Sequence, residues 1–205
     1  MTESKIILRL SSLLDNERRI LFKERGWPYP DLETVKAQDK ICKEWWKEFN
    51  SDNKIINKIS ELTGVVLPYP IEAYVIGKGL AYSMSTPLIM QIFKRDDTAI
   101  TRNDFIELIV HEVIHRFVGD TQMNPQTEPY WDFVREKYKN ESRKTQNHIM
   151  VYAVLIKILG EFNKPSLDLI PERIEKYPDY KKAFEIAEKE EADAVIEEFK
   201  NHQKQ

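Results

Sequence analysis

The chain has one cysteine, Cys42, in 205 residues. That excludes an intramolecular disulfide framework and fits a reducing, cytoplasmic compartment. Cys42 sits in a charged, helix-prone stretch with no histidine beside it, which reads as a structural thiol and not a nucleophile. Basic residues hold no surplus. Against 31 Lys and Arg stand 34 Asp and Glu, a net charge of −3, so no positive field points to nucleic acid. Long apolar runs are missing too. The N-terminal run Ile6-Ile7-Leu8 is broken at once by Arg9, unlike the apolar centre of a signal peptide, and later patches are interrupted by Lys157 or by histidines. No segment is expected to span a membrane. Internal repeats and low-complexity linkers are also absent.

What remains is an ordinary globular composition, 41% apolar and 32% charged, which can bury a core beneath a well-solvated surface. The expected layout is one compact domain in three parts. A helical segment over 1–64 is followed by a core with a small β region over 65–160 and a helical appendage over 161–205. The fold class expected is α+β and mainly helical.

Histidine is scarce, with four residues, and two of them fall in His111-Glu112-Val113-Ile114-His115, the spacing HExxH. Residues four apart lie one above the other on a helix, so both imidazoles can converge on one cation. Zinc takes neutral imidazole nitrogens at tetrahedral corners, and two of them fill half a site. Glu112 lies one step round the helix, within reach of a water on the metal without being a ligand. That is the arrangement of metal-assisted hydrolysis, with Glu112 as general base. The same motif can arise by accident. Here it follows Phe105, Ile106, Leu108, Ile109 and Val110, a helix that must be buried, and two histidines and a glutamate placed there without compensation would be costly. One Zn2+ per chain supplies that compensation.

Along the rest of the chain, apolar residues 6, 10, 13, 14, 20 and 21 predict a helix from Ile6 to about Glu24, closed by Gly26, Pro28 and Pro30. Asp31 is the expected cap of a second helix to about Phe49, with one of Trp45 and Trp46 in the core and the other at its edge. A third helix is expected from Ser51 or Asp52 to Gly64. Val65-Val66-Leu67, Glu72–Ile76 and Leu88–Phe93 read as strands, and Pro87–Phe93 is the candidate edge strand for an extended peptide, against the alternative of a strand buried on both faces. Thr101 and Asp104 open the HExxH helix as a capping box, and Gly119 is placed to end it near Val118.

Catalytic zinc needs a third protein ligand. His202 lies in the polar tail. His148 shares a helix face with Tyr152, Leu155, Ile156 and Leu159, an inward-looking stripe that carries its histidine inward. A lone histidine there is ordinarily a satisfied core residue, but this chain has a coordination position to fill. Glu128, in a Pro-bounded loop, is the fallback; Glu141 reads as solvent-facing, Glu161 is turned off the stripe, and Asp120 is too near His115 to fold back. The aromatic segment Glu128-Pro129-Tyr130-Trp131 is expected to pack over the two site helices, with Trp131, Phe133 and Val134 as plugs. A last long helix is expected from about Asp179 to Lys200, with Ala183, Phe184, Ala187, Ala194, Val195 and Phe199 as its stripe.

His111-Glu112-Val113-Ile114-His115 on a helix, a preceding β region and a later helix with a third ligand resemble the zincin superfamily of zinc metallopeptidases over roughly residues 65 to 160. The chain departs from two of its branches. Asn147-His148-x-x-x-Tyr152 stands where gluzincins carry Asn-Glu-x-x-x-Asp, and the metzincin extension is missing after His115. The resemblance implies zinc bound by His111, His115 and His148, Glu112 as general base, and Tyr152 as donor to an oxyanion or to a ligand histidine. Against that last role stands a core tyrosine. Tyr82, in the loop before the edge-strand candidate, has a weaker claim of the same kind. The expected activity is cleavage of peptide bonds in a peptide or protein substrate, with no nucleic-acid or membrane partner. The rival reading is a non-catalytic zincin-like domain that uses zinc for stability or partner binding.

Overall fold

The computed structural model describes residues 5–67, 69–79, 84–119 and 125–203; Tyr82, Asp120 and Asn124 lie outside them. The chain is mainly helical with one small mixed sheet. In order, the elements are β1 (Ile6–Leu10), α1 (Ser12–Glu24), α2 (Leu32–Phe49), α3 (Lys54–Thr63), β2 (Ile71–Ile76), β3 (Met84–Ser85), β4 (Leu88–Gln91), α4 (Arg102–Val118), α5 (Glu128–Lys137), α6 (Arg143–Phe162), α7 (Lys164–Asp168), α8 (Ile170–Ile174), α9 (Pro178–Lys189) and α10 (Ala192–Asn201). Among the described residues no helix is long and apolar enough to cross a membrane. Contacts divide the chain into two units, residues 1–56 with 67–112 and residues 57–66 with 113–205. Helix α4 is unbroken and contributes to both.

In the first unit the sheet has the order β1-β2-β4-β3, with β1, β2 and β4 parallel and β3 antiparallel to β4. The helix expected from Ile6 to Glu24 is therefore two elements. Ile6 pairs with Ile71 and Leu10 with Val75, and this long-range pairing overrides the local helical stripe. Ser11 then caps α1 by accepting from the Leu14 N–H at 3.4 Å. The edge-strand expectation for Pro87–Phe93 is also corrected. β4 has β2 on one side and β3 on the other, and Leu88, Ile89 and Met90 are buried. The continuous apolar run marked a strand covered on both faces. Val65-Val66-Leu67 forms no strand.

Helix α2 begins as expected, with Asp31 Oδ1 accepting from the Thr34 N–H at 2.8 Å. It buries Val35, Cys42, Trp46 and Phe49, while Trp45 is half-buried against Phe105 at 6.3 Å. Burial pushes the Cys42 thiol up to about 12, so it holds its proton and packs as a small apolar group. Helix α3 starts at Lys54, later than the expected Ser51 or Asp52. Asn50 Oδ1 accepts from the Ile55 and Ile56 N–H groups at 3.0 and 3.3 Å across a short 3-10 turn, Ser51–Asn53.

The second unit is organised around α6, whose residues Ile149 to Leu155 are all buried and which packs against α5, α7, α9 and α10. The segment from Glu128, expected as a loop, is helix α5 with Pro129 in its first turn. Trp131 and Val134 are buried and Tyr130 meets Phe199 edge-on at 4.8 Å; Phe133 stacks on His202 instead. The last long helix is broken. Glu191, at φ 63°, separates α9 from α10, and the break changes which side chains face α6: Ile196 is buried and Ala194 exposed.

Candidate metal site

Both ends of α4 are held. At its start Thr101 caps the helix: its Oγ1 accepts from the Asp104 N–H at 3.2 Å, and its hydroxyl donates to Asp104 Oδ2 at 2.8 Å, so the carboxylate returns to the threonine side chain and not to its backbone N–H. At its end the Trp131 Nε1–H donates to the Val118 carbonyl at 3.0 Å and the Thr127 hydroxyl to the Gly119 carbonyl at 3.1 Å. These are carbonyls that a helix C-terminus leaves open. Gly119 is required on its own account, because a Cβ there would lie 2.4 Å from the His115 carbonyl oxygen. The helix between fixes His111 and His115 one turn apart.

The third histidine comes from the second turn of α6. Ser142 caps that helix, accepting from the Thr145 N–H at 3.0 Å, and its hydroxyl donates to Asp179 Oδ1 at 2.5 Å. The Thr145 hydroxyl donates to the Asp179 carbonyl at 3.1 Å. The start of α9 is thereby pinned to the start of α6, and Tyr180 is set edge-on to the His148 ring at 4.4 Å. Tyr152 is buried at 6.3 Å from that ring, its own ring edge-on to Phe184. Sequence reasoning missed Tyr180, since nothing local to α9 announces that it faces a histidine.

Nitrogens of His111, His115 and His148 lie within 4.8 Å of one another. Nε2 of His115 and Nε2 of His148 are 3.3 Å apart. Metal–nitrogen bonds of 2.0–2.1 Å at tetrahedral angles place neighbouring ligand nitrogens about 3.3–3.4 Å apart. His148 Nδ1 lies 2.7 Å from the Lys144 carbonyl oxygen. A carbonyl can only accept, so Nδ1 carries the proton and Nε2 presents a lone pair. Burial and the facing His148 ring push His115 down to about 3. Burial also lowers His148, to about 4, although its hydrogen bond to Lys144 works in the opposite sense. Both rings are therefore neutral at ordinary pH, the form that binds a cation. The short contact can be bridged by a proton or by a metal ion.

Glu112 is 8% exposed. Burial first, and then the charge of Glu107, push its carboxyl up to about 8. Its carboxylate makes no hydrogen bond or ion pair with any described residue. A buried carboxylate left this way is expensive, and a cation beside it is the usual compensation. The donor set thus fits a divalent metal ion: three neutral imidazoles and an uncompensated acid.

Glu128, the fallback ligand, is exposed in the first turn of α5 and does not belong to the cluster. Glu141 and Glu161 pair with Lys182 and Lys58, and the His202 ring lies on Phe133. His148→Ala is expected to reduce metal affinity by at least about 10–100-fold, the range seen when even a supporting partner of a ligand is removed. Elemental analysis after gel filtration checks it; a variant that keeps the parent's metal content would remove His148 from the ligand set.

No protein-family model, no curated protein and no solved structure matches this chain.

Proposed function

We propose that this chain is a zinc metallopeptidase of the zincin kind, hydrolysing peptide bonds with Glu112 as general base. The observation that carries the reading is Glu112 itself, buried without a hydrogen-bonding partner among the described residues and standing in sequence between His111 and His115 of the cluster. Among the described residues the cluster has three members, and three protein ligands are the pattern of catalytic zinc, whereas structural zinc has four. Zinc held there would acidify water and polarise a carbonyl oxygen.

The chain's own groups do the rest. His111, His115 and His148 offer neutral nitrogens, and the Lys144 carbonyl fixes the tautomer and orientation of His148. Glu112 accepts the proton of the attacking water and passes it to the leaving amine, a single group serving in both directions. Tyr152 and Tyr180 wall the His148 ring and shield it from solvent. Tyr152 is 2% exposed, which fits packing better than contact with substrate, so its oxyanion role is set aside in favour of positioning His148.

The test is a digest of a mixed pool of synthetic peptides by purified protein, read by mass spectrometry. Cleavage is expected with one zinc bound per chain, to vanish on chelation and to return on stoichiometric zinc. A protein that holds one zinc tightly and leaves every peptide intact would overturn the peptidase reading and support a structural site; a protein that binds no zinc would overturn the metal reading as well.

A further inference from the structure

In the first unit, away from any residue given a role above, the surface carries a cavity of about 640 Å³. Its wall includes Arg18 and Phe22 of α1, Arg25 and Trp27 just beyond that helix, and Lys78 and Arg95 from the two loops at the end of the sheet. None of the described residues that line it is acidic. In the same unit Arg9 stands opposite Glu72 and Arg102 opposite Glu48. Among the described residues the guanidinium groups of Arg18 and Arg95 make no hydrogen bond or ion pair, and Arg25 lies over the Trp27 ring at 5.0 Å.

Two further features shape the place. Lys78 is 4% exposed, engages Asp97, and lies 5.4 Å from the centre of the Phe22 ring. Its ammonium is therefore already neutralised by the half-exposed Asp97 and leaves the guanidiniums as the cations open to a ligand. Gly79, at φ 122°, runs so close to the wall that a Cβ would meet Arg18 and Phe22 at 3.1 Å. Trp27 stands edge-on to Phe22 at 5.5 Å yet is 50% exposed. An indole left half in water beside unpaired guanidiniums is a recognition surface in waiting.

We infer that this cavity binds a small phosphorylated molecule with a flat aromatic ring, a nucleoside phosphate in chemical class. Guanidinium forks match phosphate oxygens in pairs, more strongly than a point charge does. Trp27, half exposed, offers its indole to a base. The volume is that of a small-molecule site. A polynucleotide is disfavoured by the chain's net charge of −3.

Calorimetric titration of the zinc-loaded full chain with ADP, followed in parallel by tryptophan fluorescence, tests this. Saturable one-to-one binding is expected, with quenching that disappears in Trp27→Phe while the heat of binding persists. Adenosine alone and inorganic phosphate alone should bind at least about tenfold more weakly, and Arg18→Ala and Arg95→Ala should each weaken ADP binding about tenfold. Neither arginine side chain has a hydrogen-bonding or ionic partner among the described residues, so both variants should keep the parent's circular dichroism. Absence of heat and quenching at about 5 mM ADP would overturn the inference. So would ADP binding that neither arginine variant weakens, since the metal site would then be the place it binds, or tight binding of an oligonucleotide where ADP fails.

Discussion

Glu112→Gln is expected to abolish peptide hydrolysis and leave bound zinc unchanged. Glutamine keeps the shape and hydrogen-bonding reach of glutamate but cannot take a proton from water. Loss of a general base lowers a rate by about 10²–10⁴-fold, about 3–5 kcal/mol at the transition state. The stability change should be small, unlike that of most core substitutions. Glu112 is buried, makes no hydrogen bond with any described residue, and is held mostly protonated in the metal-free chain by burial and the charge of Glu107, so a neutral amide of the same shape should leave the melting temperature of the zinc-free protein unchanged. Kinetics on the peptide identified by mass spectrometry, elemental analysis and a thermal melt together decide it. Zinc lost with the substitution would make Glu112 a ligand and not a base. Activity retained would place the base elsewhere. If parent and variant are equally inert, equally stable and equally loaded with zinc, the site is structural.

The parts of this molecule that were readable in advance are the ones written locally. Asp31 caps α2, Thr101 and Asp104 open α4, and Trp45 and Trp46 divide between edge and core, because each of these follows from a few neighbouring residues and a helical repeat. The convergence of His111 and His115 is of the same kind. His148 is legible less directly, from the apolar face it shares with Tyr152 and Leu155, and the cluster includes it. What escaped depends on distant partners. β1 is a strand because Ile71–Val75 lies beside it, more than sixty residues later, and the same partner is invisible to periodicity. β4 is interior because of a two-residue strand, Met84–Ser85, too short to carry a pattern. The break at Glu191 depends on one residue taking a left-handed conformation that glutamate seldom adopts. Tyr180 reaches His148 through the tie between Ser142 and Asp179, two side chains unremarkable where they stand in the sequence.

Asp15 is the largest omission of that sort, and Asp15→Ala is expected to destabilise the first unit by about 3–5 kcal/mol, the range for removing one partner of a buried charged network. The residue is 1% exposed. Its Oδ1 accepts from the Tyr29 hydroxyl at 2.5 Å and from the Gly77 N–H at 2.7 Å, and its Oδ2 accepts from Arg19 at 2.8 Å. Arg19 also donates to the Pro30 carbonyl at 2.6 Å. One carboxylate thus joins α1, the turn that follows it and the end of β2. Burial, then the bond to Asp15, raises the Tyr29 hydroxyl far above its ordinary value, so it remains a donor at any accessible pH. Nothing else can take the place of the carboxylate for the Gly77 N–H, where even a Cβ would come within 2.9 Å of the Tyr29 oxygen. For a chain of this length the loss corresponds to roughly 10 °C in melting temperature. Asp15→Asn retains an oxygen for Gly77 and Tyr29 and gives up only the ion pair, so it should cost about 1–2 kcal/mol. Thermal melts of the two variants separate the contributions: equal losses would mean the ion pair with Arg19 carries the whole effect, and no loss in Asp15→Ala would mean the network is not what holds β2 to α1.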